Sequence, residues 1–277
     1  MTPQARRLVW ADEFDGDCLD PRKWACESGN GFFHGPQRQW IPGWGNEELQ
    51  YYTALPANVR VAGGCLHITA LREACGGLDF TSARLRTRGA DGGTLFSQRY
   101  GRFEVRAKVP AGRGLWSAVW LLPEREAYGA WPASGEIDLL EVVGDRPDEV
   151  LGSLHFGSAW PQRSHVTHTH GFPPGQDATQ FHDYALDWEP GVFRWSVDGQ
   201  VWARQSAWWS CSRTEGGRGL APRGDGDLNA APAPFDQAFQ ILVNLAVGGR
   251  LPGPPSADTP FPASLVIDHI RVYAYDG

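Results

Sequence analysis

The chain has 277 residues, 42% hydrophobic and 21% charged, a balance that suits a folded globular protein rather than a disordered or low-complexity one. Its formal net charge is −7 and it carries no basic run, which argues against nucleic acid as a partner. No apolar stretch approaches the ~18 residues of a membrane-spanning helix, so no membrane partner is expected.

In chain order, Met1 to Leu8 lacks the apolar core of a secretion signal, so the chain is expected either to stay in the cytoplasm or to have lost a signal. Ser28 to Asn46, carrying Phe32, Phe33, Trp40 and Trp44, reads as loop. Asn58–Val61 and Cys65–Leu71 flank Ala62-Gly63-Gly64 as a hairpin. Ser82 to Thr87 reads as one strand. Gly101 to Val109 alternates strictly, a strand with one face in water. Leu115 to Leu122 is apolar on both faces and should be central. Leu151–Phe156 and Tyr184–Trp188 follow. Phe193–Val197 and Gln200–Trp202 are joined by the turn signal Asp198-Gly199. Cys211 to Pro234, rich in Gly, Pro, Arg and Asp, reads as a long surface loop. Phe239–Val247 is a second central strand, and Leu265–Tyr275 closes the chain. The 34 glycines and 21 prolines spread along the whole sequence, as turns between many short strands require. No window of about 12 residues holds a helical period without Gly or Pro. The expected fold class is all-β: a two-sheet antiparallel β-sandwich, a concanavalin-like jelly roll, with a concave substrate groove. The five cysteines form no CxxC pair, so a zinc site is not expected. Cys18/Cys26 and Cys65/Cys75 are neighbours in sequence, but spacing establishes neither bond.

The chemistry is concentrated in Ser134-Gly135-Glu136-Ile137-Asp138-Leu139-Leu140-Glu141-Val142-Val143-Gly144, a buried-strand pattern interrupted by three acids. Asp and Glu are rarely buried unless paired. Residues two apart in a strand share a face, so Glu136 and Asp138 point together. Glu141 joins them if one extra residue near Leu139-Leu140 forms a β-bulge. Glycoside hydrolysis uses one carboxylate as nucleophile or base and one carboxylic acid to protonate the leaving oxygen. A third acid between them pushes their pKa values apart. Glu136 and Glu141 would then lie about 13 Å apart at Cα. On a curved strand their carboxyls can reach the ~5–5.5 Å of a retaining pair. The competing reading is an exposed strand with solvated acids, which the apolar flanks oppose. The 13 tryptophans suit either core filling or stacking on sugar rings.

These residues resemble glycoside hydrolase family 16, specifically its laminarinase-like endo-β-1,3-glucanases. Glu136-Ile137-Asp138-Leu139-Leu140-Glu141 is similar to the family's Glu-Ile-Asp-x-x-Glu signature. Trp44–Thr53, Tyr100–Arg106, Gly114–Leu122, Asn244–Gly249 and Asp268–Tyr273 resemble further family segments, in order, from about Trp10 to Tyr275. The resemblance therefore implies one catalytic domain over 1–277. Glu136 would be the nucleophile, Glu141 the acid/base, and Asp138 the residue tuning both. His155 matches an active-site histidine, although Phe156 stands where the family usually has Trp. Trp116 and Trp131 resemble sugar-stacking tryptophans, while Asn46 and Arg84 resemble polar contacts to sugar hydroxyls. Read without the family, His155 is equally a core histidine, Trp116 and Trp120 are core residues, and Arg84 is a surface charge.

The resemblance also implies that catalysis needs no cofactor. It implies a structural calcium held by the backbone carbonyls of Glu13 and Gly64 and by Asp268, oxygen donors of the kind calcium takes. The implied partner is a β-glucan, acted on by a monomer, and the substrate class implies an extracellular setting. The implied reaction is endo-acting, retaining hydrolysis of β-1,3-glucan or mixed β-1,3-1,4-glucan. The alternatives are a non-catalytic glucan-recognition protein, which would lack the glutamates, and an agarase- or carrageenase-like hydrolase, against which the Trp44–Thr53 segment speaks. The bulged spacing argues against lichenase-type relatives, whose motif is one residue shorter.

Overall fold

Residues 6–34 and 38–276 are described by the computed structural model. Strands are numbered in chain order. The front sheet runs β14 (Arg163–Gly171), β13 (Glu149–Gly157), β12 (Glu136–Val143), β11 (Leu115–Pro123), β20 (Phe239–Val247), β9 (Arg84–Arg86), β2 (Ala25–Glu27). The back sheet runs β17 (Gln200–Gln205), β16 (Val192–Val197), β15 (His182–Glu189), β10 (Gly101–Lys108), β21 (Ala263–Tyr275), β7 (Cys65–Ala70), β6 (Val59–Ala62), and β1 (Arg6–Asp12) also pairs with β21. Every pairing within these two sheets is antiparallel. The result is the expected jelly-roll sandwich.

Sequence alternation builds the layers. In β10 every second residue, including Phe103, Val105 and Ala107, is buried between the sheets, while Arg102, Glu104 and Arg106 project outward. The front sheet answers with Val119, Leu121, Ile137, Leu154, Ile241, Val243 and Leu245 in one continuous core. Trp188, Phe193 and Trp195 fill the same core from the back sheet. Burying such aromatics contributes about 2–3 kcal/mol each, so the 12% aromatic content goes largely into holding the sheets together.

Four local expectations change. Ser82 to Thr87 is not one strand: it breaks at Ala83 into β8 (Phe80–Ser82) and β9, and β8 pairs in parallel with β5 (Gln50–Tyr52). The Ser28–Asn46 loop holds a hairpin, β3 (Gly31–His34) with β4 (Gln39–Pro42), in which Phe33 and Trp40 face each other across the ladder. The Cys211–Pro234 loop is partly anchored. Cys211 is buried, and β18 (Thr214–Glu215) pairs with β19 (Arg218–Gly219). Edge strand β14 has no counterpart among the expected strands. All five cysteines are free thiols.

Candidate active site

Strand β12 carries the bulge. Against β11, Leu140 pairs with Val119 and Asp138 with Trp120, so Leu139 has no partner. Against β13, Asp138 pairs with Ser153 and Glu141 with Leu151, the same surplus residue seen from the other side. The buried Trp195 indole donates to the Asp138 carbonyl at 2.9 Å, so a backbone oxygen at the irregularity stays satisfied. Just upstream, Gly135 sits at φ +91°, and a Cβ there would lie 2.8 Å from the Phe235 ring. Only glycine admits that turn into the strand.

The bulge gathers the three acids beside His155, which pairs across the ladder with Glu136. His155 Nε2 lies 3.3 Å from Asp138 Oδ2 and 3.7 Å from Glu136 Oε1. Asp138 is 3% exposed and Glu141 9%. Trp131 Nε1 donates to Glu136 Oε2 at 2.7 Å, and Trp116 Nε1 donates to Glu141 Oε1 at 3.1 Å. The other Glu141 oxygen lies 3.4 Å from the Ser153 hydroxyl, itself 2.9 Å from the Thr167 hydroxyl on β14. His155 stacks on His165, and the Trp131 ring lies tilted against it at 5.9 Å between centroids. The exposed-strand reading of the acids and the isolated core-histidine reading of His155 both fail on this cluster.

Burial and the neighbouring Asp138 carboxylate push Glu136 up to about 7 and Glu141 up to about 8. His155, the Trp131 N–H and Arg84 pull Glu136 back; His155 and the Trp116 N–H do so for Glu141. Burial opposes charge on His155, but Glu136 and Asp138 outweigh it and raise the imidazole to about 9. Near neutral pH the two raised glutamates do not both ionise freely, so the cluster can hold one carboxylate and one carboxylic acid beside a cationic histidine. That is the complement a division of labour between two carboxylates requires.

A family model described as glycosyl hydrolases family 16 matches residues 56–207. The chain belongs to that family. It is 41% identical to a beta-glucanase of Rhodothermus marinus over 97% of this chain and 85% of that protein. It is 37% identical to the glucan endo-1,3-beta-glucosidase A1 of Niallia circulans, over 96% of this chain but 37% of that protein. Among solved structures, the laminarinase from Rhodothermus marinus superposes with a TM-score of 0.79 at 39% identity, covering 99% of this chain and 100% of that one.

The family 16 sandwich also explains the residues flanking the acids. Trp116 and Trp120 are not core residues. Both are half-buried on the face that carries Glu141 and Asp138, while Ser117, Val119 and Leu121 turn inward. The Arg84 guanidinium sits 4.4 Å from the Trp44 ring and 4.7 Å from the Trp120 ring, and its Nε meets Glu27 at 2.5 Å. It is a stacked, paired cation rather than a free surface charge. Asn46 donates to Glu48 at 3.3 Å, and Glu48 also receives Gln50 and Tyr52. Burial raises the Glu48 pKa. Tyr52 accepts from Asn244, and Asn244 accepts from the Trp120 indole at 2.8 Å. Glu48, Trp120, Asn244 and Ser153 are the neighbours of the site that the sequence reading passed over. For Trp120 the signal was available in its four-residue spacing from Trp116.

The three residues of the expected calcium site meet near the middle of β21. Asp12 pairs with Ile270 and Leu66 with Ile267, so β1 and β7 meet end to end beside Asp268, the surplus residue of β21 against β10, which brings Glu13 and Gly64 close to it. The Glu13 carboxylate is bound at two oxygens by Arg271. Asp268 faces Arg106 at 3.2 Å and His269 at 3.4 Å. The two carbonyls and one carboxylate are the right donor chemistry for calcium, with Arg106 as the competitor for the carboxylate.

Proposed function

We propose that this chain is an endo-acting, retaining β-1,3-glucanase in which Glu136 attacks the anomeric carbon and Glu141 is the acid/base. The observation that carries the reading is the acid row itself. Three carboxylates stand on one bulged strand, and the pair at its ends is raised to about 7 and about 8 in a family 16 sandwich. The substrate class is supported by the glucanase and laminarinase relatives.

In the first step a Glu136 oxygen bonds to the anomeric carbon as the glycosidic C–O bond breaks. Its electron pair goes to the leaving oxygen, which takes the Glu141 proton. In the second step a water oxygen attacks the same carbon and gives a proton to the Glu141 carboxylate. The bond to Glu136 then breaks with its electrons returning to the carboxylate. Two inversions give net retention. Asp138 keeps the two glutamates from ionising together, and His155 balances the charge of whichever is ionised. A monomer acting outside the cell fits a polymer too large to import, and a calcium on Glu13, Gly64 and Asp268 would be structural, remote from these steps.

The test is a side-by-side digest of laminarin and barley mixed-linkage glucan, with product sizing and proton NMR of freshly released reducing ends. Internal cleavage of laminarin with β-anomers first is expected. Release of α-anomers first would overturn the retaining mechanism, and tight laminarin binding without products would point to a recognition protein.

A further inference from the structure

The two tryptophans set against the catalytic pair do something that stacking does not require. A ring that stacks on a sugar uses its face; its N–H is free to point anywhere. Here each indole N–H is spent on one glutamate, Trp131 on Glu136 Oε2 at 2.7 Å and Trp116 on Glu141 Oε1 at 3.1 Å. The two come from different elements, Trp131 from the loop before β12 and Trp116 from β11.

We infer that Trp116 and Trp131 are positioning residues that decide which oxygen of each catalytic glutamate reacts, leaving Glu141 Oε2 to carry the transferred proton and Glu136 Oε1 to form the bond to the anomeric carbon. The inference rests on the proposed roles of the two glutamates. Its physical ground is that an indole nitrogen only donates. In a protonated carboxyl the carbonyl oxygen is the better acceptor, so with the indole donating to Oε1 a proton on Glu141 is favoured on Oε2. There it meets the Ser153 hydroxyl, 3.4 Å away, and Ser153 meets Thr167 at 2.9 Å. A hydroxyl accepts or donates by rotating, so Ser153 suits both protonation states of an acid/base. On Glu136, Oε1 has His155 Nε2 at 3.7 Å, beyond hydrogen-bond distance. Its lone pairs are left for the sugar carbon while the ring still supplies positive charge.

The groups facing Glu141 are Asp138 and Glu136 from its own strand, His155 and Ser153 from β13, and Trp116 from β11. Those facing Glu136 are Asp138, Glu141, His155 and Trp131, with Arg84 further off. Each indole engages one glutamate and not the other, as Ser153 does for Glu141, so removing either N–H acts first on one glutamate. A donor to a carboxylate favours its ionised form, and its loss raises that pKa by about one unit.

The experiment is the pH dependence of kcat/KM on laminarin for Trp116→Phe and Trp131→Phe. The Trp116→Phe variant should move the alkaline limb up by about one pH unit, because Glu141 keeps its proton longer, and so widen the profile. Trp131→Phe should move the acid limb up by a similar amount, because Glu136 ionises later, and so narrow it. The limbs belong to a coupled pair, so the opposite limb moves less but in the same direction. Where a Phe variant melts too low to assay, β-(3-benzothienyl)alanine placed at the same position keeps the ring and replaces N–H by sulfur. A raised KM with both limbs fixed would reduce the tryptophans to sugar platforms and overturn the inference. Glu141→Ala separates this failure from that of the catalytic assignment. If it keeps the wild-type alkaline limb, the acid/base role itself is wrong. If it loses that limb while the tryptophan variants leave theirs in place, only the positioning role falls.

Discussion

The two sheets of this sandwich each expose a face rich in acids, and they treat those acids in opposite ways. On the outer face of the back sheet every carboxylate beside β10 and β21 has an arginine. Arg102 joins Glu104 and Asp187, Arg106 joins Asp183 and Asp268, and Arg271 grips Glu13 at both oxygens. The hydrogen bond from Arg271 holds Glu13 below its usual pKa. On the front face Glu136, Asp138 and Glu141 have two indoles, a hydroxyl and one histidine. The nearest arginine, Arg84, is already committed to Glu27. The same residue type thus ionises easily on one face and reluctantly on the other. The lesson is that this acid row is marked less by its acids than by the arginines withheld from them, with one histidine in their place.

The sharpest way to break the comparison is to remove one glutamate from each face. Glu136→Ala should lower kcat on laminarin by at least about 10⁴-fold, as loss of a nucleophile does, while its melting temperature at pH 8 holds or rises because a crowded buried carboxylate has gone. Azide should rescue that variant as an inverted glycosyl azide. Glu13→Ala should leave kcat unchanged and cost less than about 1 kcal/mol, since its ion pair with Arg271 is solvent-screened. A Glu136→Ala protein that folds and turns over laminarin near the wild-type rate would end the nucleophile assignment.

The front face was also where the sequence spoke most and misled most. The three acids, and the doubled leucine that had to be a bulge, are legible because period-two alternation leaves only one way to bring Glu141 round to Glu136. On the back sheet β10 was legible because polar and apolar residues alternate along it, whereas β1 was not read as a strand. Strand β11 was legible as central but not in its facing, because the groove side carries Trp116 and Trp120 where a solvent face would carry polar residues. Both of its faces therefore look apolar. Strand β14 offered no signal at all. Its residues, Arg163-Ser164-His165-Val166-Thr167-His168-Thr169-His170-Gly171, are polar on both faces, because at the sheet edge one side meets the groove and the other is only half covered. The Glu48–Tyr52–Asn244–Trp120 network joins three segments distant in sequence, and no local pattern encodes it.

Stability against pH should sharpen the comparison next. Glu136 and Glu141 are raised from 4.5 to about 7 and about 8, and His155 from 6.5 to about 9. A group with a raised folded-state pKa gives its full stabilisation below its unfolded pKa and loses it as pH climbs through the folded one. The groove should therefore cost stability from about pH 5 upward, most steeply around pH 6 to 7, and level off near pH 9. Glu13, with its lowered pKa, acts in the opposite sense, losing its contribution on acidification, and its exposure keeps that loss small. The melting temperature should fall by well over ~5 °C between pH 5 and pH 8.5. Most of that slope should vanish in the Glu136→Gln/Glu141→Gln double variant, which removes both raised carboxyls and part of the charge that raises His155, leaving only the Asp138 contribution. Parallel wild-type and variant curves would mean that the buried acids are not where the folded protein holds its extra protons.

The smallest effect concerns the one place where the back sheet's pairing could yield to something else. Asp268 shares its carboxylate between Arg106 and His269, yet it stands at the junction of β7 and β1 beside Glu13 and Gly64. The calcium proposed there must win the carboxylate from Arg106. A site filled to ten times its dissociation constant stabilises by about 1.4 kcal/mol, or roughly 3 °C in a chain of this length. Millimolar calcium should raise the melting temperature by that much and EDTA should reverse it, with kcat on laminarin unchanged because Asp268 is on the back sheet and the acid row on the front one. Asp268→Ala should abolish the response. Arg106→Ala should enlarge it, because the competing cation is gone; a purely structural Arg106 would instead lower the melting temperature equally with and without calcium. A flat calcium titration in both the wild type and Arg106→Ala would mean that arginine alone balances Asp268, and that every acid on this outer face is answered by the protein's own cations.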